Sequence, residues 1–258
     1  MKMIVMDLDN TLLRSDKTIS DYTVTVLEKC RVMGIKTAFA TARSDKAVAR
    51  FIARFAPDAF IGYGGALVLA NGVSICRFDI PAKRSSQIIG ECLSVPGITS
   101  IWAINEVVAI CNDLEFTMNP SEYSYKYDEF ATDYQNSYLK IWFSASNRSV
   151  AKAIIDKFPT CNMVEYSGEN LYSLTDSNAT KWNAIKMVAE YYDINKKEIV
   201  AFGDDFNDLE MLQKCGVGVA MGNAIAEVKA VANCICDTND NDGVAKWLET
   251  YGFALKHE

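Results

Sequence analysis

The chain has 258 residues, half of them apolar, and its 26 basic and 33 acidic residues give a net charge of −7. This length allows one large domain or two modest ones, and the apolar content excludes a disordered chain. The acidic excess argues against a protein that binds the phosphate backbone of nucleic acids. No membrane span is expected either, because no apolar run approaches the required length of about 20 residues.

The residue types that remain for chemistry are mainly carboxylates. The one histidine, His257, is next to last, so histidine-based catalysis and histidine-ligated metal sites are nearly excluded. The eight cysteines are scattered without a Cys-x-x-Cys pair, which favours free thiols in a reducing cytosol over zinc or thioredoxin-like sites. Two aspartates within the first nine residues do not fit a signal peptide, so we expect a cytoplasmic protein.

Strands and helices alternate in the first part of the chain. An apolar strand at Met3–Met6 is followed by a helix capped by Ser20, a strand at 35–40 and a helix capped by Ser44. This order predicts parallel βαβ units. Asn71-Gly72 lies between two short apolar runs and predicts a hairpin.

The alternation of strands and helices ends after this hairpin and returns at Lys181. The intervening short strands and two helices predict an α+β block, within which the stretch 119–135 has no periodicity and is expected to be a long loop. The fold class is therefore α/β, a Rossmann-like core with a parallel sheet. We assign residues 1–80 and 179–258 to the core and residues 81–178 to an inserted α+β domain.

The first acidic motif, Asp7-Leu8-Asp9-Asn10-Thr11, follows the first strand. Open parallel sheets bind their ligands at this end of the strands. Asp7 and Asp9 are two positions apart, so in an extended segment both carboxylates would face one reacting centre. One could act as a nucleophile and the other as a general acid and base. The alternative at this point is a turn with a solvated pair of acids.

The second acidic motif, Gly203-Asp204-Asp205-Phe206-Asn207-Asp208, follows another apolar strand. Its oxygen-bearing side chains form a site suited to Mg²⁺, which prefers carboxylate and water ligands. A surface acidic loop is the alternative. The surface-loop alternative is disfavoured because two such acidic motifs each follow a strand of the same predicted sheet.

Two further residues could bind a phosphate group. Thr41 lies between an apolar strand and a helix, where a hydroxyl and helix N–H groups can cradle phosphate, although a simple capping role fits it equally well. Lys181 begins a helix just after the candidate caps Asn178 and Thr180, and its charge there opposes the helix dipole. A nearby anion would explain this placement, and a tolerated surface lysine is the alternative.

These four elements, in this order and at these strand ends, resemble the haloacid dehalogenase superfamily of phosphohydrolases, and more narrowly its Cof-like branch. The match runs from Asp7 to the segment Asp242-Gly243-Val244-Ala245. The resemblance implies that residues 81–178 are a large α/β cap that selects the substrate. It also implies a Mg²⁺-dependent phosphatase that acts on a small phosphorylated metabolite, with sugar phosphates the expectation for the family.

The resemblance further implies a role for each motif residue. Asp7 would be the nucleophile that forms an aspartyl phosphate, and Asp9 would protonate the leaving alcohol and later activate water. The implied phosphate-binding residues are Thr41, Lys181 and Asn207. The implied Mg²⁺ ligands are Asp7, the backbone carbonyl of Asp9, and Asp204, with Asp205 and Asp208 supporting the metal from nearby.

Four positions depart from the family pattern without removing a catalytic group. Asn10, Ala42 and Trp182 replace a usual glycine, and Gly64 stands where an asparagine is usual. Phosphomutase-type transfer is the alternative reaction. A non-catalytic phospho-aspartate receiver or binding module is the alternative of a different class, although receiver modules lack an inserted domain of about a hundred residues. The sequence leaves the oligomeric state and the physiological substrate open.

Overall fold

The computed structural model describes residues 1–105, 109–113, 126–130, 136–166 and 170–252. Its strands are β1 (Met3–Met6), β2 (Lys36–Ala40), β3 (Ala59–Gly62), β4 (Leu67–Ala70), β5 (Val73–Arg77), β6 (Ile98–Ile104), β7 (Ala109–Cys111), β8 (Lys126–Tyr127), β9 (Lys140–Ala145), β10 (Cys161–Glu165), β11 (Leu171–Asp176), β12 (Ile199–Gly203), β13 (Val217–Ala220) and β14 (Cys234–Ile235). Its α-helices are α1 (Asp21–Val32), α2 (Asp45–Arg54), α3 (Ala82–Ser94), α4 (Arg148–Ile155), α5 (Lys181–Tyr191), α6 (Leu209–Lys214), α7 (Ala226–Val231) and α8 (Gly243–Trp247).

The described elements form two compact units. Unit 1 comprises Met1–Cys76 and Thr180–Glu258, and unit 2 comprises Arg77–Ala179. Unit 2 is thus inserted in the chain between the two parts of unit 1. None of the helices within the described ranges has the length and apolarity needed to cross a membrane.

Unit 1 contains a sheet with the strand order β14-β13-β12-β1-β2-β3-β4-β5, counted over the described residues. The strands from β14 to β3 run parallel, which confirms the predicted parallel α/β core, and β4 is antiparallel to β3. The central strand β1 is fully buried over Met3–Met6. Burial on both faces explains why its sequence is apolar throughout rather than alternating.

The local signals read from the sequence are confirmed in unit 1. Ser20, Ser44 and Thr180 precede α1, α2 and α5, and each side chain accepts a hydrogen bond from a backbone N–H in the first turn. Asn71 and Gly72 have φ of 49° and 75°, as a tight turn between β4 and β5 requires.

Unit 2 contains a second sheet, in the order β10-β11-β9-β6-β7-β8 among the residues described. Neighbouring strands are antiparallel except β7 and β8, which are parallel. Its core joins strand residues such as Ile141 and Phe143 to Ile88 of α3 and Ile154 of α4. This arrangement is the α+β block expected from the sequence.

One predicted loop needs a correction. The stretch 119–135 was expected to lack structure, yet Lys126 and Tyr127 form β8 and pair with Ile110 and Cys111. A strand of two residues has no detectable periodicity, so the sequence gives no signal for it. The parts of this predicted loop at 119–125 and 131–135 lie outside the described residues.

Candidate active site

The two acidic motifs meet at one edge of the unit 1 sheet. Met6 of β1 is in register with Phe202 of the neighbouring β12, and the next residue, Asp7, donates its backbone N–H to the Phe202 carbonyl at 3.1 Å. Asp204 directly follows β12. The carboxyl ends of these parallel strands therefore bring Asp7 and Asp204 together, although 196 residues separate them in the chain.

Asp208 shapes the loop that follows β12. Its Oδ2 accepts hydrogen bonds from the backbone N–H groups of Asp204, at 2.9 Å, and Asp205, at 3.2 Å. The loop packs so tightly that a Cβ added to Gly203 would lie 2.5 Å from the Asp208 Cβ. A glycine is therefore required at the end of β12, and any side chain there would displace Asp208.

Lys181 is the cation of this site. It is the first residue of α5 and only 2% exposed, and its Nζ lies 2.6 Å from Asp7 Oδ1 and 2.6 Å from Asp208 Oδ1. Burial alone would lower the pKa of Lys181, but the charges of Asp208 and Asp7 outweigh it and raise that pKa above its ordinary value. Lys181 is thus a buried ammonium group. The alternative interpretation, a tolerated lysine on the surface, is wrong.

Three buried carboxylates surround this ammonium group. Asp7, Asp204 and Asp208 each offer an oxygen, and these oxygens lie within 4.8 Å of one another. Burial raises the pKa of Asp7 well above its ordinary value against the opposing charge of Lys181, and the other two carboxylates raise it further. Burial and the charge of Asp208 raise the pKa of Asp204 to about 7. Ionisation of all three carboxylates is therefore unfavourable with one ammonium group as their counter-charge.

A divalent cation would fit this donor set. The three carboxylates are hard oxygen ligands that converge at one point, and the raised pKa values of Asp7 and Asp204 reflect in part a repulsion that a cation would remove. Thr11 Oγ1 donates a 2.8 Å hydrogen bond to Asp204 Oδ1 and fixes the orientation of that carboxylate. The residues present are thus compatible with the Mg²⁺ expected from the sequence.

Asp9 lies beside this group but is held differently. Arg43 contacts it through two hydrogen bonds, Nε to Oδ2 at 2.7 Å and Nη2 to Oδ1 at 2.8 Å, and Lys17 Nζ lies 3.0 Å from Oδ1. Burial would raise the pKa of Asp9, but the hydrogen bonds and charges of Arg43 and Lys17 outweigh it and hold the pKa at about 2. In this arrangement the Asp9 carboxylate is ionised and able to accept a proton.

The backbone of the first motif allows this placement. Leu12 N–H bonds to the Asp7 carbonyl at 3.2 Å, and Leu13 N–H bonds to the Leu8 carbonyl at 2.8 Å, so the chain makes a wide turn after β1. Within it Asn10 adopts the left-handed φ of 56°. Asparagine tolerates this conformation better than other non-glycine residues, which explains why it can stand in place of the usual glycine.

Thr41 also lies at this edge of the sheet. Met6 of β1 is in register with Phe39 of β2, so Thr41, which follows β2, ends its strand on the same side as Asp7. Its hydroxyl is buried and accepts a hydrogen bond from the backbone N–H of Arg43 at 3.1 Å. The position suits the predicted phosphate-binding role, which stays a prediction.

The remaining predicted residues are placed unequally. Asn207 Oδ1 lies 3.4 Å from Lys181 Nζ, at the limit of a hydrogen bond. Asp205 accepts a hydrogen bond from the backbone N–H of Phe206 and lies outside the group of three converging carboxylates. Asp208, expected only to support the metal, is by contrast one of those three.

Sequence reasoning missed three contributors: Arg43, Lys17 and Thr11, which bind the carboxylates of Asp9 and Asp204. Arg43 follows Thr41 by two residues at the same sheet edge, and this proximity is the signal that could have identified it. Nothing in the spacing of Lys17 identifies its partner.

The family model described as haloacid dehalogenase-like hydrolase matches residues 4–248. The chain belongs to this family. The match covers nearly the whole chain and confirms the resemblance seen in the motifs, including the Cof-like branch.

Two curated relatives match this hydrolase over nearly its whole length. A protein of Haemophilus influenzae, named provisionally as a phosphatase, is 30% identical over 257 residues, which are 96% of this chain and 97% of the relative. The 5-amino-6-(5-phospho-D-ribitylamino)uracil phosphatase YitU of Bacillus subtilis is 26% identical over 278 residues, with 96% and 97% of the two chains covered.

Solved structures share the fold of this hydrolase. A sugar phosphatase of subclass IIB of the superfamily superimposes with a TM-score of 0.86 at 23% identity, covering 98% of this chain and 99% of that one. A haloacid dehalogenase-like hydrolase from B. subtilis gives a TM-score of 0.85, also at 23% identity, with 97% and 100% covered. These likenesses confirm the α/β core with an inserted second domain.

Proposed function

We propose that this haloacid dehalogenase-like phosphatase requires Mg²⁺ and hydrolyses a small phosphorylated metabolite of the sugar-phosphate class. The observation that carries the proposal is the buried contact between Lys181 and Asp7. A carboxylate can approach a dianionic phosphate only if cations neutralise the charge of both, and Lys181 lies 2.6 Å from the Asp7 oxygen.

The reaction divides into two steps. A carboxylate oxygen of Asp7 attacks phosphorus, the bond to the leaving oxygen breaks, and an aspartyl phosphate forms. Asp9 gives a proton to the leaving oxygen, so it must enter this step protonated, against the effect of Arg43 and Lys17, which hold its pKa at about 2 before substrate binds. Asp9 then takes a proton from water, the water oxygen attacks phosphorus, and Asp7 is released with inorganic phosphate. Bound Mg²⁺, held by Asp7, Asp204 and the backbone carbonyl of Asp9, would supply charge neutralisation at the phosphoryl oxygens.

The other predicted residues complete this site. Lys181 and Thr41 would bind phosphoryl oxygens, Asn207 would position Lys181, and Asp208 would orient the loop between Asp204 and Lys181 through its two backbone hydrogen bonds. Asp205, whose side chain caps the following turn, would support the metal only indirectly.

The substrate class rests on the relatives and on unit 2. YitU is named for a substrate that carries a phosphorylated ribityl chain, and the solved subclass IIB relative is described as a sugar phosphatase. We assign the choice among such substrates to unit 2, the inserted domain. The eight cysteines are free thiols, which supports a reducing compartment such as the cytoplasm.

Metal removal tests the proposal directly. Purified protein is expected to release phosphate from an aryl phosphate and from sugar phosphates with Mg²⁺, and to lose this activity in EDTA. Activity should return when excess Mg²⁺ is added, because the three carboxylates hold no other counter-charge than Lys181 among the contacts described. Full activity in EDTA would exclude the magnesium requirement, and transfer of the phosphoryl group to a second sugar would identify a mutase instead.

Arg43 is expected to position Asp9. Replacing Arg43 with methionine removes two hydrogen bonds to the Asp9 carboxylate and should lower kcat by about 10²-fold, the size of effect that follows when a reacting group is misplaced by about 1 Å. The loss should be larger for alkyl phosphates than for aryl phosphates, because only a poor leaving group needs its proton from Asp9.

Arg50 offers a matched control for this change. Both arginines lie over the ring of Phe51, at 5.5 Å for Arg43 and 4.6 Å for Arg50, but Arg50 is exposed. Arg50→Met should leave kcat within about twofold, as surface substitutions do. Equal losses for both leaving groups in Arg43→Met would argue that Arg43 serves the fold rather than Asp9.

A further inference from the structure

A groove with an apolar floor runs along α5 on unit 1. Its cavity volume is about 570 Å³, within the range of roughly 300–1,000 Å³ typical of small-molecule sites. Trp182 and Ala189 of α5 and Ile199 of β12 form the buried floor, each at most 6% exposed. We call this cavity the α5 groove. None of the residues proposed for phosphoryl transfer lines it.

The rim of the α5 groove is basic although the protein as a whole is acidic. Lys186, Lys196 and Lys214 line it together with one acid, Glu190. Lys214 pairs with Glu210 at 2.6 Å, whereas Lys186 and Lys196 make no ion pair with any described residue. Three lysines against one acid give the lining a net positive charge, in a chain whose net charge is −7.

Trp182 connects this groove to a departure noted in the sequence. It occupies the position after Lys181 where the family usually has glycine, and its indole gives the groove an aromatic floor residue.

The α5 groove also lies apart from the acidic motifs. Ile199, on its floor, is the first residue of β12, whereas Asp204 follows the last residue of that strand. At about 3.3 Å per residue, the two ends of β12 are roughly 13 Å apart.

We propose that the α5 groove is a binding site for a small organic anion that has an apolar ring system, separate from the phosphoryl-transfer site. The ring would lie on the floor of Trp182, Ala189 and Ile199, and the anionic group would contact Lys186 and Lys196 at the rim. The cavity size favours a small molecule over a peptide, and the charge favours an anion over a neutral ligand.

Two fluorescent probes test this site in the full-length protein. The anionic probe is 8-anilinonaphthalene-1-sulfonate, and the uncharged one is N-phenyl-1-naphthylamine, which has the same rings without the sulfonate. Each is titrated against wild type and against Lys186→Glu with Lys196→Glu. This double variant is expected to bind the anionic probe about tenfold more weakly, because two attractive charges become repulsive, and to bind the uncharged probe unchanged.

A second pair of lysines controls for the change in total charge. Lys46 and Lys83 are exposed, lie outside the groove and make no ion pair with a described residue, so Lys46→Glu with Lys83→Glu should leave both probes unaffected. Ala189→Met, which adds side-chain volume on the groove floor, should weaken both probes. If the reversals disturb folding, Lys186→Gln with Lys196→Gln should still weaken the anionic probe about threefold.

Three results would overturn the proposal. They are equal binding of the anionic probe by wild type and the Lys186/Lys196 variant, equal weakening by the control pair, and unchanged binding of both probes in Ala189→Met. None of these readouts uses phosphate release, so they are independent of whether the proposed phosphatase reaction is right.

Discussion

Replacing Asp7 with asparagine is expected to reduce phosphate release on the order of 10⁴-fold or more, the scale of loss seen when a covalent nucleophile is removed. The amide keeps the size of the side chain and can still accept a hydrogen bond from Lys181, which lies 2.6 Å from the Asp7 oxygen. It cannot form the acyl phosphate. The measurement is kcat with an aryl phosphate, together with acid-quench trapping of a phosphorylated enzyme that hydroxylamine cleaves.

Asp205 is the matched control for this substitution. It lies three residues before Asp208 in the same acidic loop, and its side chain accepts backbone N–H hydrogen bonds, among them that of Phe206, which an asparagine oxygen can also accept. Asp205→Asn should therefore keep activity within a few-fold of wild type. A trapped phosphoenzyme in Asp7→Asn, or turnover equal to wild type, would move the nucleophile to another residue.

Replacing Lys181 with methionine is expected to damage both activity and stability. The substitution leaves the carboxylates of Asp7 and Asp208 buried without their ammonium partner. Removing one partner of a buried ion pair costs about 3–5 kcal/mol of the free energy of unfolding. The transferring phosphoryl group also loses a positive charge, which should lower kcat by a further 10²–10³-fold. This is roughly the loss that follows when one hydrogen-bond donor of an oxyanion hole is removed. Urea unfolding and kcat measure the two effects separately.

Exposed Lys46 provides the comparison on unit 1. Lys46→Met removes the same charge and the same side-chain atoms from the surface of α2, so both the free energy of unfolding and kcat should stay close to wild type. Stability equal to wild type in Lys181→Met would mean that the carboxylates of Asp7 and Asp208 are already neutral without Lys181. The electrostatic account of the site would then be wrong.

The parts of the site that the sequence predicts are those fixed by strand ends. Asp7 and Asp204 each follow an apolar strand, and parallel strands bring their carboxyl ends to one edge, so their meeting follows from the pattern alone. The N-cap of α5 also follows from the pattern. Thr180 precedes the apolar residues that recur at helical spacing in α5, which predicts it as the cap and places Lys181 in the first turn.

Contacts between long side chains could not be predicted in this way. Arg43 reaches Asp9 across 34 positions of the chain, and its fork geometry depends on the rotamer of both residues rather than on a period. The resemblance implied that Asp9 protonates the leaving alcohol and later activates water. The structure adds an arginine and a lysine that bind its carboxylate and hold its pKa at about 2. Side-chain pairing therefore changed the chemical description of Asp9 more than any backbone feature did.

The central place of β1 in its sheet has a consequence for synthesis on the ribosome. Its partners are β2, which follows within forty residues, and β12, which begins only at Ile199. A nascent chain that ends before β12 leaves one edge of the apolar strand Met3–Met6 unpaired, which is the kind of edge that recruits other chains. Premature release would thus yield an aggregating fragment and no partial enzyme, since Asp204 and Lys181 also arrive late.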